Sequence, residues 1–281
     1  MKKLLLALTA VAAFSGTAHA ADLPRPYVKA PPLSAPAVNW TGCYLGGGGG
    51  YGLFRQQNTE YVEPGAVVAP TTTTRTQVTP AAEAGGGGWF GTVQGGCDYQ
   101  FAGPMGNWVV GAFADYDFAN IKGQITPPGD ALNGQEKLTD KWSVGGRLGW
   151  LVAPNVLTYL SGGYTEARYG QVNLELLQGA PVALVPGFGR YWNSTWYKGW
   201  FIGSGFEYAL GFLPGLFLKT EYRFSEYDLK TNPTYFAATY FFPPLRNQLT
   251  GATYDSRKYD QTIRTELVYR FNWGGSVVAK Y

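Results

Sequence analysis

Five segments of the chain alternate with a period of two, and the polar side of that alternation carries charges of both signs. In residues 89–101, Trp89, Val93, Cys97, Tyr99 and Phe101 share one parity, while Thr92, Gln94, Asp98 and Gln100 hold the other. Residues 142–150 repeat the scheme with Trp142, Val144, Leu148 and Trp150 against Ser143, Gly145 and Arg147. Residues 200–210, 218–224 and 263–271 do so again. Successive side chains of a strand leave on opposite faces, so each segment is a strand with one apolar and one polar face. With residues 108–118, the polar faces hold Asp115, Arg147, Glu207, Lys219, Glu221, Arg223, Arg264 and Glu266. Eight ionised groups cannot face hydrocarbon or an apolar core cheaply, but they can pair inside a narrow polar lumen.

Residues 40–54, 108–118 and 156–168 bring the strand count to eight. The faces of the segment 156–168 stay open, because aromatic and polar residues occur on both parities. The connections alternate in length. "AGPMG", "VAP" and "GFLPG" are short turns, whereas the other four connections run to about 19–32 residues. Short turns at one end and long loops at the other describe an all-β, eight-stranded antiparallel transmembrane β-barrel with short periplasmic turns and long extracellular loops. A soluble barrel with an apolar cavity would point its apolar residues inward, which leaves the eight charges unplaced. Trp40, Trp89, Trp108, Trp142, Trp150, Trp200 and Trp273 fall near strand ends, where interfacial aromatic girdles are expected. The lumen charges are expected to form either a structural network or the lining of a narrow pore.

The start of the chain agrees with an exported protein. Residues 1–20 combine two lysines, an apolar run and the small-x-small site Ala18-His19-Ala20, the pattern of a cleaved signal. Residues 21–39 contain five prolines and make an extended periplasmic arm, leaving residues 40–281 for the barrel. His19 is the single histidine and leaves with the signal. The remainder therefore lacks the base of Ser-His-Asp chemistry and the commonest metal ligand, and no enzyme, catalytic residue, metal or cofactor is expected. Removing Lys2 and Lys3 from the 22 basic residues leaves 20 against 19 acidic ones, a balance with no field to gather nucleic acid.

The chain has 39 glycines, and Gly47, Gly49 and Gly52, like Gly86, Gly88 and Gly91, match the spacing of a dinucleotide-binding loop. No helical pattern follows either run, so the nucleotide reading fails and the glycines are expected to relieve crowding where a small barrel bends. Cys43 and Cys97 lie in the first two strands. If paired residues of that hairpin sum to about 140, the two face each other and a disulfide can form in an oxidising compartment; otherwise they are lipid-facing thiols.

The "AHAADLP" junction, "NWTGCYLGG", "GGWFGTVQGGCDYQF", "GFEYAL", "KTEYRF" and the ending "LVYRFNWGGSVVAKY" resemble the alphaproteobacterial outer-membrane immunogenic protein family, small porin-like barrels with some haemin-binding members. The resemblance spans most of the chain after the signal but not the long loops. It implies an outer-membrane barrel with a structural or surface role, in contact with outer-membrane lipids and lipopolysaccharide, and assembled by the outer-membrane insertion machinery. Tyr269 and Phe271 look like the assembly signal of a last strand, with Tyr281 a second candidate for its end; Glu266 departs from the usual glycine. A haem site would have to use loop tyrosines such as Tyr61, Tyr191, Tyr197, Tyr235, Tyr240 or Tyr254, since His is absent and Met105 sits in a periplasmic turn.

Overall fold

Alternating β-branched, aromatic and small residues favour pleated backbone, and in this protein the pleats close on themselves. The structure is a computed structural model and describes residues 38–67, 70–104, 106–126, 132–176, 189–237 and 246–271. The expected signal, most of the arm, Met105, Tyr240, Trp273 and Tyr281 lie outside these residues. Among the described residues twelve strands follow one another: β1 (Gly42–Val62), β2 (Thr76–Gln77), β3 (Ala82–Gly103), β4 (Gly106–Ile125), β5 (Leu132–Ala153), β6 (Val156–Tyr169), β7 (Val172–Leu176), β8 (Arg190–Trp192), β9 (Thr195–Ala209), β10 (Leu216–Tyr227), β11 (Lys230–Phe236) and β12 (Leu249–Phe271). The order β1-β3-β4-β5-β6-β9-β10-β12 closes through an antiparallel β1–β12 seam into a ring of eight.

The strands run well past the segments legible as alternation, at the end of the long connections. There β6 gives way to β7, β8 leads into β9, and β10 gives way to β11 across gaps of two residues each. Past these breaks the pairing passes to β5–β7–β8–β11–β12, which carries the wall upward beyond the ring below. Much of what sequence alone assigned to loops is therefore strand. Arg75 pins the β1–β3 connection to this rim: it donates to Glu63 at 3.0 Å and Asp255 at 2.8 Å and lies over the Tyr61 ring. Its hydrogen bond to Asp255 holds the guanidinium above its ordinary pKa.

Outward positions make an apolar band. On β5, Val144 and Leu148 are exposed between Trp142 and Trp150, and on β9, Ile202 and Phe206 between Trp200 and Tyr208. Eight residues of a tilted strand climb about 20 Å, close to the height of an outer-membrane apolar belt. The ambiguous strand β6 resolves the same way, with Leu157, Tyr159, Ser161 and Thr165 buried and Leu160 and Tyr164 exposed. Trp40 departs from the girdle expected of it. It is wholly buried inside the short-turn end, packed on Phe217 at 4.8 Å, with its backbone nitrogen donating to Gln100 and its carbonyl accepting from Arg270. The chain enters the ring from within, so the first aromatic becomes a stopper instead of an interface anchor.

Glycine and aromatic content are coupled on the inner wall. Inward Tyr44, Phe90, Tyr159 and Phe201 stand directly across from Gly96, Gly50, Gly205 and Gly163 of the next strand. Each ring folds over the space its partner lacks a side chain to fill, which is how eight strands accommodate large interior residues.

Candidate functional site

The inward parity of each strand aims its charges at the barrel axis, and the structure brings the eight expected lumen residues together there. All of Asp115, Arg147, Glu207, Lys219, Glu221, Arg223, Arg264 and Glu266 are buried. With Asp98, Asp117 and Arg270 they form ion pairs at two levels, a lower quartet and a middle cluster.

At its lower level, Arg147 donates to Asp98 at 2.9 Å and to Glu207 at 3.0 Å. Arg270 donates to the same two carboxylates at 2.6 and 2.8 Å. Two guanidiniums and two carboxylates thus alternate around a closed, formally neutral quartet. Tyr44 is sandwiched by it, with Arg147 and Arg270 at 4.8 and 5.1 Å from its ring. Such bidentate forks use the planar geometry of arginine, which lysine cannot reproduce.

The middle level is centred on Arg223 and Arg264. Arg223 meets Asp115 at 2.9 Å and Glu221 at 3.1 Å; Arg264 meets Asp117 at 2.9 Å and shares Asp115 at 3.4 Å. Lys219 lies 3.3 Å from Glu221 and 3.6 Å from Glu266 and donates to Gln94. Ser161 donates to Glu221 at 2.8 Å. Higher still, Lys141 holds Asp260 at 2.8 Å, and Lys258 holds Glu136 at 2.7 Å with its ammonium over the Tyr169 ring.

Apolar clusters close both ends of this column. Trp40, Val109, Leu157, Phe217 and Val268 pack at the short-turn end. Ile125, Leu132, Val172, Leu174, Trp192 and Tyr254 pack inside the upper extension. Among the described residues, the column of paired charges thus lies between two apolar clusters, an arrangement that holds a shape.

Sequence reasoning missed Lys141, Lys258 and Asp260 because they precede the read segments, although each continues the inward parity. Asp98, Asp117 and Arg270 stood on the polar parity of read segments and could have been included. Glu136 could not: an irregularity between Leu138 and Asp140 shifts the parity of β5 below it.

The cysteines face each other at the register that sums to 140 and are joined in a disulfide on the outer wall near the short-turn end. Tyr269 and Phe271 end β12 on the outer face, ring to ring at 5.1 Å. The tyrosines considered for haem scatter. Tyr197 and Tyr254 are not in loops at the surface; they are buried inside the barrel, Tyr197 accepting from Asn232 at 2.7 Å. Tyr191 and Tyr235 stack on one another at the rim, and Tyr61 lies under Arg75.

No protein-family model matches the chain. It is 28% identical over 232 residues to the 31 kDa outer-membrane immunogenic protein of Brucella melitensis biotype 1, a match covering 80% of this chain and 87% of the relative. The protein of the same name from Brucella suis biovar 1 matches to the same extent. Among solved structures, the outer-membrane protein OprG from Pseudomonas aeruginosa aligns with a TM-score of 0.47 at 10% identity, covering 84% of this chain and all of that one. Ail of Yersinia pestis aligns with a TM-score of 0.31 at 10% identity, covering 82% and 99%. The closed eight-strand ring, its apolar outside and its charged inside, together with the Brucella similarity, make this chain an outer-membrane β-barrel of the cell envelope and surface, similar to the 31 kDa outer-membrane immunogenic protein.

Proposed function

We propose that the barrel serves as a closed structural element of the outer membrane, neither conducting solutes nor catalysing a reaction, and that its work is done by its outer wall and rim. The observation that carries this reading is the lumen: carboxylates and cations engage one another at every level, between two apolar stoppers. An enzyme needs a group free to take or give a proton to a substrate, and here Glu207, Glu221, Asp115 and Asp117 are each committed to arginine. A pore needs water along the axis, whereas Arg223, Lys219 and Glu221 are at most 1% exposed.

The reading is tested by single-channel recording of the refolded protein in a planar bilayer. Insertion is verified separately by the faster gel migration of unheated samples. A silent bilayer is expected for the folded barrel, and a silent one also for Arg147→Ala, whose neighbours Tyr44 and Tyr159 still fill the section. Discrete openings in the unmodified protein that change in the variant would replace the closed element by a small-solute pore.

A further inference from the structure

One strip of the outer wall carries positive charge that no described residue neutralises. Lys122 of β4 and Lys137 of β5 are directly opposite across their ladder, both directed outward. Like charges at such a position lie about 5 Å apart at Cβ and repel. Among the described residues neither has an ion-pair partner, and the carboxylates nearby are engaged elsewhere. Asp140 accepts from Tyr116 at 3.0 Å and lies 3.7 Å from Arg168, while Glu136 points inward to Lys258.

The strip's height matters as much as its charge. Phe118, Tyr116 and Trp142 mark the upper aromatic belt on these strands, and the four residues from Phe118 to Lys122 climb about 10 Å. That is the level of the headgroups, above the acyl chains. Immediately above the lysines, Gln124 faces Gln135, and with Asn133 and Asn173 they line a groove of about 410 Å³. Glu175 of β7, opposite Asn133, closes its upper end as an acceptor. Side-chain amides offer both donors and acceptors, the pattern that sugar hydroxyls require. Lysines below and amides above match one ligand chemistry, phosphate on a sugar.

We propose that the β4–β5–β7 face binds the phosphorylated sugar headgroup of an outer-leaflet glycolipid, its phosphate between Lys122 and Lys137 and its next sugar in the amide groove. This rests on the reading of the barrel as an outer-membrane element with its long connections outward. The ligand neutralises a repulsion built into the wall, so binding also stabilises the β4–β5 ladder.

The test titrates fluorescently labelled deep-rough lipopolysaccharide into the refolded full-length barrel in micelles, with folding followed separately by the gel shift. In Lys122→Gln/Lys137→Gln the affinity should fall by at least about tenfold, since the charge-assisted hydrogen bonds lost are each worth that much. Lys198→Gln, on the outer face of β9 two strands away from β5, should bind as the unmodified protein does. Enzymatically dephosphorylated lipopolysaccharide should bind the unmodified barrel as weakly as the intact glycolipid binds the double variant. Equal binding by a folded double variant overturns the proposal. So does complete displacement by inorganic pyrophosphate at the glycolipid's own concentration, which would make this a site for free phosphate. Loss of the gel shift in the unmodified protein would instead count against the barrel reading itself.

Discussion

Arg147→Met is expected to destabilise the folded barrel by about 3–5 kcal/mol, the cost of leaving a buried charge without its partner. The guanidinium bridges Asp98 and Glu207, and Arg270 alone cannot neutralise both when it is removed. Glu207→Met should cost a similar amount for the opposite reason, since two arginines then share Asp98. The double variant tells the two effects from simple loss of contacts. It leaves Arg270 with Asp98, a neutral hydrogen-bonded pair among the rings of Trp40, Tyr44 and Phe217. Its cost should therefore fall below the sum of the single costs by about 1–3 kcal/mol, the range of directly coupled sites. Urea unfolding in lipid vesicles, followed by tryptophan fluorescence, measures all three. Strict additivity would mean that the quartet is a set of independent contacts, and the balance of charge would cease to explain the lumen.

How much of this was legible beforehand follows from what a strand reveals. A period of two is visible wherever it is unbroken, so Arg147, Glu207, Lys219, Glu221, Arg223, Arg264 and Glu266 were assigned to the lumen from parity alone. Whether Cys43 and Cys97 pair depended on one number, the register of their hairpin, which the sequence leaves open and the structure sets at a sum of 140. Parity fails at irregularities: the slip in β5 near Leu138 hid Glu136, and the breaks before β7, after β8 and before β11 made continuing wall look like loop. It fails also at chain entry, where no ladder dictates direction. Trp40 is two residues short of β1 and owes its buried place to Gln100, Pro154 and Arg270, partners distant in sequence. Which carboxylate pairs with which arginine was never readable, because several cations point at the same axis and only their heights and lengths choose among them.

The other large effect is expected at the seam. Gly48→Val should abolish the heat-modifiable folded form, while Gly47→Val, one residue away, should leave it within about 0.5 kcal/mol of the unmodified barrel. The two glycines face opposite sides of β1. A side chain at Gly47 points outward and meets only the Thr92 carbonyl oxygen, at an ordinary 3.6 Å. A Cβ at Gly48 would run into the backbone of β12 at the Thr265 carbonyl and the Glu266 Cα, which cannot rotate aside. Gly46 is intermediate, since its Cβ would press first on the movable Val268 side chain at 2.9 Å. The wall curves so tightly at Gly48 that inward bonds from β1 converge on the neighbouring strand, and β1–β12 is the contact that closes the ring. Forcing it open by a methyl-bearing side chain costs at least about 3 kcal/mol of overpacking and leaves two strand edges unpaired in hydrocarbon. Refolding yield into vesicles, read as the fraction of unheated protein with shifted mobility, separates the two variants directly. Equal yields would show that the five-glycine run answers to something other than the curvature of the seam.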